Sequence, residues 1–328
     1  MSPPAPAPRA MVLAAGLGTR LRPLTNVIPK PLVPIANKPL LEYTFALLAA
    51  AGVREAIVNT HHLQDIFEEG LRNLDASGLA LHTSRERRIL GTAGGLKKAE
   101  SFLGAGTFLL LNGDFLVDID LRQVLDFHQK QGAAATMVLV PDDTAGVLGV
   151  DPDGVIRRFI EPRPAGEPAD RISCGFTGIH VLEPELFALI PPRKPWEINR
   201  QVYPDLIARG RRVCGFVHRG YWREAGSPAG YLAANREVLA GRAGALAPRP
   251  GAGTSALAGA SCSAPLLAGR GVRVGADVEI GPETVIGPEV RIGDGARIRR
   301  SVIIAGTDVP AGANLDGATL FPGGGFAA

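Results

Sequence analysis

The residues best suited to chemistry lie between Leu13 and Pro39. Two glycines, Gly16 and Gly18, follow an apolar run and precede Thr19, Arg20, Arg22 and Lys30. Glycines permit backbone conformations and close approaches that a Cβ would block. Prolines at 23, 29, 31 and 34 stiffen the stretch that carries the cations. A glycine turn after a strand, bare N–H donors and fixed positive charge together describe a polyphosphate cradle. The plain alternative is a strand-to-helix turn with solvated charges. A dinucleotide fingerprint is excluded, because Leu21 stands where a third glycine or alanine belongs and Asn59-Thr60-His61 offers no acid. A Walker loop is excluded by the lack of Gly-Lys-Ser/Thr.

Four further stretches carry candidate groups. Leu90-Gly91-Thr92-Ala93-Gly94-Gly95 reads as a helix start with Thr92 as N-cap, its free N–H groups at Gly94 and Gly95 open to a base or sugar edge. Asn112-Gly113-Asp114 ends a buried strand, as a capped turn or a hard-oxygen ligand site. Trp222-Arg223-Glu224-Ala225-Gly226 offers a second carboxylate, which otherwise is a surface acid before a helix. Glu161-Pro162-Arg163-Pro164 and Cys174-Gly175-Phe176-Thr177-Gly178 complete the set. Adjacent His61 and His62 read as a surface pair rather than metal ligands, and Cys174, Cys214 and Cys262 as core thiols.

The elements that must position these groups alternate. Strand-like runs cover Met11–Ala15, Glu55–Asn59, Leu79–Thr83, Thr107–Leu111 and Ala135–Val140; helical patterns cover Leu40–Ala51, Gln64–Leu74, Gly94–Phe102 and Leu121–Gln131. That alternation predicts a parallel sheet with helices on both faces and ligands beyond the strands' carboxyl ends. A less regular α+β stretch follows, with strands at Val155–Ile160, Phe176–Leu182 and Val213–His218 and helices at Glu185–Ile190, Asn199–Arg209 and Ala229–Leu239. Residues 1–9 read as a disordered tail and 242–265, rich in Gly, Ala and Pro, as a linker. Beyond it Val274, Ile280, Ile286, Ile292, Ile298 and Ile304 recur every six residues, and the register slips after Ile304. A six-residue aliphatic period fits a parallel β-helix of about three coils, over 266–323.

Leu13 to Pro39 is similar to the signature of the sugar-1-phosphate nucleotidyltransferases, whose pattern is Gly-x-Gly-Thr-Arg followed by Pro-Lys-Pro. The form most resembled is the bacterial mannose-1-phosphate guanylyltransferase with a C-terminal hexapeptide domain. The resemblance implies an α/β fold: a Rossmann-like, mixed, mostly parallel sheet in a nucleotidyltransferase domain over 10–241, then a short left-handed parallel β-helix. It implies Arg20 and Lys30 as catalytic cations, and nucleotide contacts from Leu13, Ala15, Gly16, Gly18, Thr19, Gly91, Thr92 and Gly94. Sugar-phosphate contacts fall on Asn112, Glu161, Arg163 and Gly178, and Mg²⁺ on Asp114 and Glu224. The chain departs from the pattern in three places: Glu224 replaces an aspartate, Arg163 stands one residue from a lysine's position, and the asparagine of the family's Asn-x-Gly-Ile strand is missing from Cys174-Gly175-Phe176-Thr177-Gly178-Ile179.

The reaction so implied joins a nucleoside triphosphate to a sugar 1-phosphate with release of pyrophosphate. GTP and mannose 1-phosphate are the favoured pair; thymidylyl, uridylyl or adenylyl transfer to glucose 1-phosphate is the alternative. A non-catalytic nucleotide-sugar-binding subunit would suit the three departures. A hexapeptide acyltransferase would need a base on the coil, but all six histidines (61, 62, 82, 128, 180, 218) precede it. The 328 residues carry a formal charge of +3 with no basic block, which opposes a nucleic-acid partner. No apolar run reaches membrane-spanning length. Three scattered cysteines suit a reducing compartment. A cytoplasmic homo-oligomer is expected.

Overall fold

A computed structural model describes residues 7–104, 106–142, 148–159, 172–246 and 257–327. Strand β1 (Arg9–Leu13) leads to a loop of short 3₁₀ turns and a hairpin, β2 (Pro34–Ile35) and β3 (Lys38–Pro39), before helix α1 (Leu40–Ala50). Then come β4 (Glu55–Thr60), α2 (Gln64–Asn73), β5 (Ala80–Arg85), α3 (Gly91–Lys98) and α4 (Glu100–Leu103). Next are β6 (Phe108–Asn112), β7 (Phe115–Val117), α5 (Leu121–Gln131), β8 (Ala135–Pro141), β9 (Leu148–Val150), β10 (Ile156–Phe159) and β11 (Ile172–Leu182). Helix α6 (Tyr203–Ala208), β12 (Val213–Val217), β13 (Trp222–Glu224) and α7 (Pro228–Leu239) close the unit.

The main sheet runs β10-β9-β11-β6-β1-β4-β5, with β8 paired to β11 and β12 to β8. Strands β6, β1, β4 and β5 are mutually parallel, so their carboxyl ends share one edge. Long β11 runs antiparallel to β6, β8 and β9, which makes the sheet mixed. Side-chain alternation splits the core by face. Met11, Ile57 and Leu110 pack with α3 on one side, while Val12, Val58, Leu109 and Leu111 pack with α1, α2 and α5 on the other. No helix among the described residues is long and apolar enough to cross a membrane.

Several boundaries differ from expectation, for identifiable reasons. Arg9 belongs to β1 rather than to a tail, pairing with Phe108 and bridging to Glu55 at 2.9 Å. The strand stops at Leu13 because the Ala14 N–H is donated to the Asn59 side chain, not to the ladder. The helix expected from Gly94 starts at Gly91 and breaks after Lys98. A single helix over Asn199–Arg209 is instead a π turn, Ile198–Val202, running into α6, and the helix expected over Glu185–Ile190 is a 3₁₀ stretch, Pro184–Leu189, with Ile190 extended after it.

The C-terminal repeat forms three parallel ladders stacked around one apolar axis. Val274 pairs with Ile292, Ile280 with Ile298 and Ala268 with Ile286, eighteen residues apart as three hexads require. The slip falls before Ile304, not after it. Ile286 pairs with Ile303, so the turn between Ile298 and Ile303 is one residue short. Ile303 takes the inward place, and Ile304 points out among residues of the first unit. Coil structure also begins within the expected linker: Leu257 is buried in the coil core and Ser261–Cys262 pairs with Glu279–Ile280. At the far end Gly324–Ala327 folds back antiparallel on Ala318–Phe321. Cys174 and Cys214 are buried as expected, whereas Cys262 is exposed on the coil.

Candidate active site

The loop after β1 closes on itself. Gly18 has φ of +62°, and a Cβ there would lie 3.0 Å from Thr25 Cγ2 and 3.2 Å from Lys30 Cβ. Thr25 Oγ1 donates to the Gly18 carbonyl at 2.8 Å, so the turn brings Lys30 back beside the loop. Gly16 is different: a Cβ there would meet nothing within 4 Å, because its backbone faces an open cleft.

That cleft lies at the carboxyl ends of the parallel strands. Leu13, Ala14, Ala15 and Gly16 line it after β1, Asn59 on β4, Glu86 after β5, and Asn112, Gly113 and Asp114 after β6. Gly91, Thr92 and Glu197 form its far wall, and Lys30 faces it from the loop. Leu13, Ala15, Gly16, Gly91, Thr92, Asn112, Lys30 and Asp114 are therefore brought together. Gly18 and Thr19 lie outside the lining, Thr19 exposed at the start of the first 3₁₀ turn.

Two carboxylates and two cations converge at one end. Lys30 Nζ donates to Asp114 Oδ2 at 2.5 Å and stands 3.9 Å from Glu224 Oε1. Arg20 pairs with the same Glu224 oxygen. Strands β7 and β13 form a separate antiparallel ribbon that sets Glu224 opposite Phe115, and the Ala225 N–H donates to the Asp114 carbonyl at 3.1 Å. The longer side chain at 224 thus still reaches the cluster. Among the described residues no third His, Cys, Asp or Glu joins these two. Two carboxylates in one cluster are hard oxygen donors of the type Mg²⁺ takes, an ion that keeps waters and leans on substrate phosphate. Next door Arg223 points away onto Glu237 at 2.5 Å, and that hydrogen bond raises the guanidinium pKa. Burial, and then the Glu237 charge, push the Tyr221 hydroxyl up as well.

At the other end the glycines of Gly91-Thr92-Ala93-Gly94 serve packing. A Cβ at Gly91, whose φ is +71°, would fall 2.5 Å from Glu197 Oε1; one at Gly94 would fall 2.6 Å from the Lys194 carbonyl. The Gly94 N–H donates to the Trp196 carbonyl at 3.1 Å, so it is not free for a ligand, and Gly94 lies outside the cleft. Thr92 is not the N-cap. It sits in the first turn, donates from Oγ1 to Glu197 Oε2 at 3.0 Å and accepts the Ile198 N–H at 2.8 Å. A carboxylate from a distant segment thus stands at the start of α3, where the helix dipole favours negative charge.

Gly178 lies beneath Asn112. Its φ of +86° falls in the irregular register of β11, and a Cβ would meet Asn112 Nδ2 at 2.6 Å. Glu161 and Arg163 lie outside the described residues. His61 and His62 diverge onto the carbonyls of Glu86 and Thr25, at 2.8 and 2.9 Å.

Three contributors carried no sequence signal. Glu86, 2% exposed, accepts from Asn59 Nδ2 at 2.8 Å and from the Leu90 N–H at 3.0 Å. Asn59 in turn accepts the Ala14 N–H at 2.6 Å, tying three strand ends together. Glu197 is the third. Each is a lone polar residue whose partner is remote in sequence.

Residues 9–241 match the nucleotidyl transferase family, and 271–306 match the bacterial transferase hexapeptide (six repeats). A mannose-1-phosphate guanylyltransferase of Mycobacterium tuberculosis is 34% identical over 245 residues, 74% of this chain and 66% of that protein. A UTP–glucose-1-phosphate uridylyltransferase of Synechocystis is 36% identical over 247 residues, 70% of this chain and 63% of that one. The aligned part spans just under two thirds of each relative. Among solved structures, HddC from Yersinia pseudotuberculosis shares the fold with a TM-score of 0.59 at 23% identity, covering 70% of this chain and 98% of that one.

Proposed function

This chain belongs to the nucleotidyl transferase family, and from that premise we propose that it joins a nucleoside triphosphate to a sugar 1-phosphate. GTP and mannose 1-phosphate are the proposed pair. The observation that carries the reaction type is the meeting of Lys30 and Asp114 in the cleft that Gly16 lines, with Glu224 and Arg20 joined to them through ion pairs.

An oxygen of the sugar phosphate attacks the α-phosphorus, the bond from that phosphorus to the β-phosphate oxygen breaks, and pyrophosphate leaves. No protein nucleophile is needed. Negative charge accumulates on the α-phosphate and on the bridging oxygen as the bond breaks, and cations fixed beforehand stabilise that more than the ground state. Lys30, held between Pro29 and Pro31 and only 11% exposed, supplies such a charge with little motion. Arg20, at 65% exposure, has freedom to swing from Glu224 onto the leaving pyrophosphate. Asp114 and Glu224 would hold Mg²⁺, which supplies charge neutralisation and alignment of phosphate oxygens when bound. The proposed sugar side is that of Asn112 and Gly178, where β11 flanks β6, and the proposed base side is that of Gly91 and Glu86, beyond β4 and β5.

Support for guanylyl transfer comes from the Mycobacterium tuberculosis relative and from further mannose-1-phosphate guanyltransferases of yeasts such as Kluyveromyces lactis, 34% identical over 232 residues. The Synechocystis relative favours UTP and glucose 1-phosphate as the second pair. A pyrophosphate-release screen of four nucleotides against mannose and glucose 1-phosphates, with Mg²⁺, tests both. The expected result is highest kcat/KM for GTP with mannose 1-phosphate. Release with no pair at all would favour a binding subunit instead.

A further inference from the structure

Behind the wall that holds Glu86 lies a second concavity, separate from the cleft. Arg85, Arg87, Arg88, Lys97, Lys98 and Arg193 line it, against only two carboxylates, Glu86 and Glu100. That is a surplus of four positive charges in one hollow, on a chain whose formal total is +3. Arg85 is neutralised by Glu68 and Lys97 by Glu100. Arg87, Arg88, Lys98 and Arg193 have no ion-pair partner among the described residues. Two of them are held in place by neutral acceptors. Arg88 donates to the Arg193 carbonyl at 2.6 Å, and Lys98 to the Arg85 carbonyl. A solvated surface spreads such charges apart. Here backbone carbonyls hold two of the four beside one cavity that all four line, and like charges converging on a concavity focus field on an anion.

We propose that this hollow binds a phosphate group, free or as the monoester of a small metabolite, and thereby tightens nucleotide binding in the cleft. Guanidinium forks at 87, 88 and 193 match phosphate oxygens in bidentate fashion, and Lys98 adds a point charge. The coupling route is short. Glu86 forms the wall common to both cavities. Its Oε2 accepts the Leu90 N–H, its Oε1 accepts Asn59 Nδ2, and Asn59 Oδ1 accepts the N–H of Ala14 in the cleft. An anion that fixes Arg87 and Arg88 fixes the segment carrying Glu86, and through two side chains the start of the phosphate loop. Binding there favours the arrangement that the nucleotide also needs, which is what makes two sites cooperative.

The kinetic half of this idea rests on the nucleotidyl-transfer reading; the binding half does not. Calorimetric titration of the full chain with inorganic phosphate, without substrates, reads the site directly. Arg87 and Arg193 are exposed and lie outside the catalytic cluster, so the Arg87→Ala/Arg193→Ala double variant should keep the fold and basal turnover. Phosphate heat should be lost or halved in that variant. In steady state, millimolar phosphate should lower KM for the nucleotide about fivefold in the wild type, the low end of ordinary coupling, and not in the variant. Glycerol phosphate run beside inorganic phosphate separates the sources: an effect of either supports the site, and the tighter one names its occupant. Identical phosphate heats in both proteins would overturn the site. So would a KM raised equally in both, because that is competition at Arg20 and Lys30.

Discussion

Gly226 is the tightest position of the catalytic cluster. A Cβ built on it falls against Glu224 Oε1, 2.9 Å from Lys30 Nζ and 3.0 Å from Arg20 Nη2. All three are tips of flexible side chains, so Gly226→Ala should leave the melting temperature within a few degrees. The displaced tips should nonetheless cost about 10²-fold in kcat/KM, the usual effect of a misplacement near 1 Å. Kinetics and a thermal melt on the same preparation check both halves, and an unchanged kcat/KM would detach the cluster from the chemistry. Removing a charge outright is harsher. Lys30→Ala deletes a fixed cation from the developing phosphate charge, and Asp114→Asn replaces one of two carboxylates with a neutral amide, a weaker oxygen donor. Each should lower kcat by roughly 10²–10³-fold, the range for losing one electrostatic stabiliser. Circular dichroism should be unchanged, and near-normal turnover of either variant would remove the site assignment.

Strand β11 joins the cleft to the core and carries an acid-sensitive group. His180, two residues beyond Gly178, is 4% exposed and shares a 2.7 Å hydrogen bond with the Tyr203 hydroxyl. Burial lowers its pKa to about 4. In the unfolded chain the same imidazole titrates near 6.5, so between those values the unfolded state binds the extra proton. Stability is therefore undiminished above pH ~6.5 and falls as pH drops toward 4, by at most about 3 kcal/mol from this group. Chemical denaturation from pH 7 to 4.5 should show that slope, and His180→Gln should flatten it; equal slopes would acquit the histidine. Elements of this kind differ in how plainly the sequence writes them. The β1 loop was legible because its glycines, prolines and cations are contiguous, and Asp114 because it ends an apolar strand. The Gly91 loop was legible as a helix start but not in its hydrogen bonding, since Trp196 and Glu197 arrive from a hundred residues away. The hexad gave the coil, while the one-residue slip between Ile298 and Ile303 was hidden by three consecutive aliphatics, Val302, Ile303 and Ile304, any of which can face inward.

At the scale of the molecule the β-helix is joined to the catalytic loop by a shared core. Leu21, beside Arg20, and Ala225, beside Glu224, belong to one buried cluster with Leu267, Val285, Val302 and Ile304 of the coil. Those coil residues alternate with the inward ones, so one flank of the β-helix is apolar and covered by the first unit. Polar contacts fix its placement: Asn37 Nδ2 donates to the Ile286 carbonyl at 2.8 Å, and Arg236 pairs with Glu283. The coil thus braces the two segments whose charged tips meet at the active site. Val302, 3% exposed, is the position to disturb. Val302→Asp places an unpaired carboxylate in that apolar seam, at a cost of several kcal/mol, roughly what burial of a charge without a partner demands. The seam should loosen while each unit keeps its own core, so melting should split into two transitions. Arg20 and Glu224 should then meet less often, and kcat/KM should fall at least ~10-fold, since geometry of the reacting groups is what the brace preserves. Arg291→Ala is the control: its pairing with Asp308 at 3.4 Å is on the coil's exposed side, where such a pair is worth little, and activity should persist. If Val302→Asp melts in two steps yet turns over like the wild type, the coil braces nothing in the site and its outer surface is where a role must be sought.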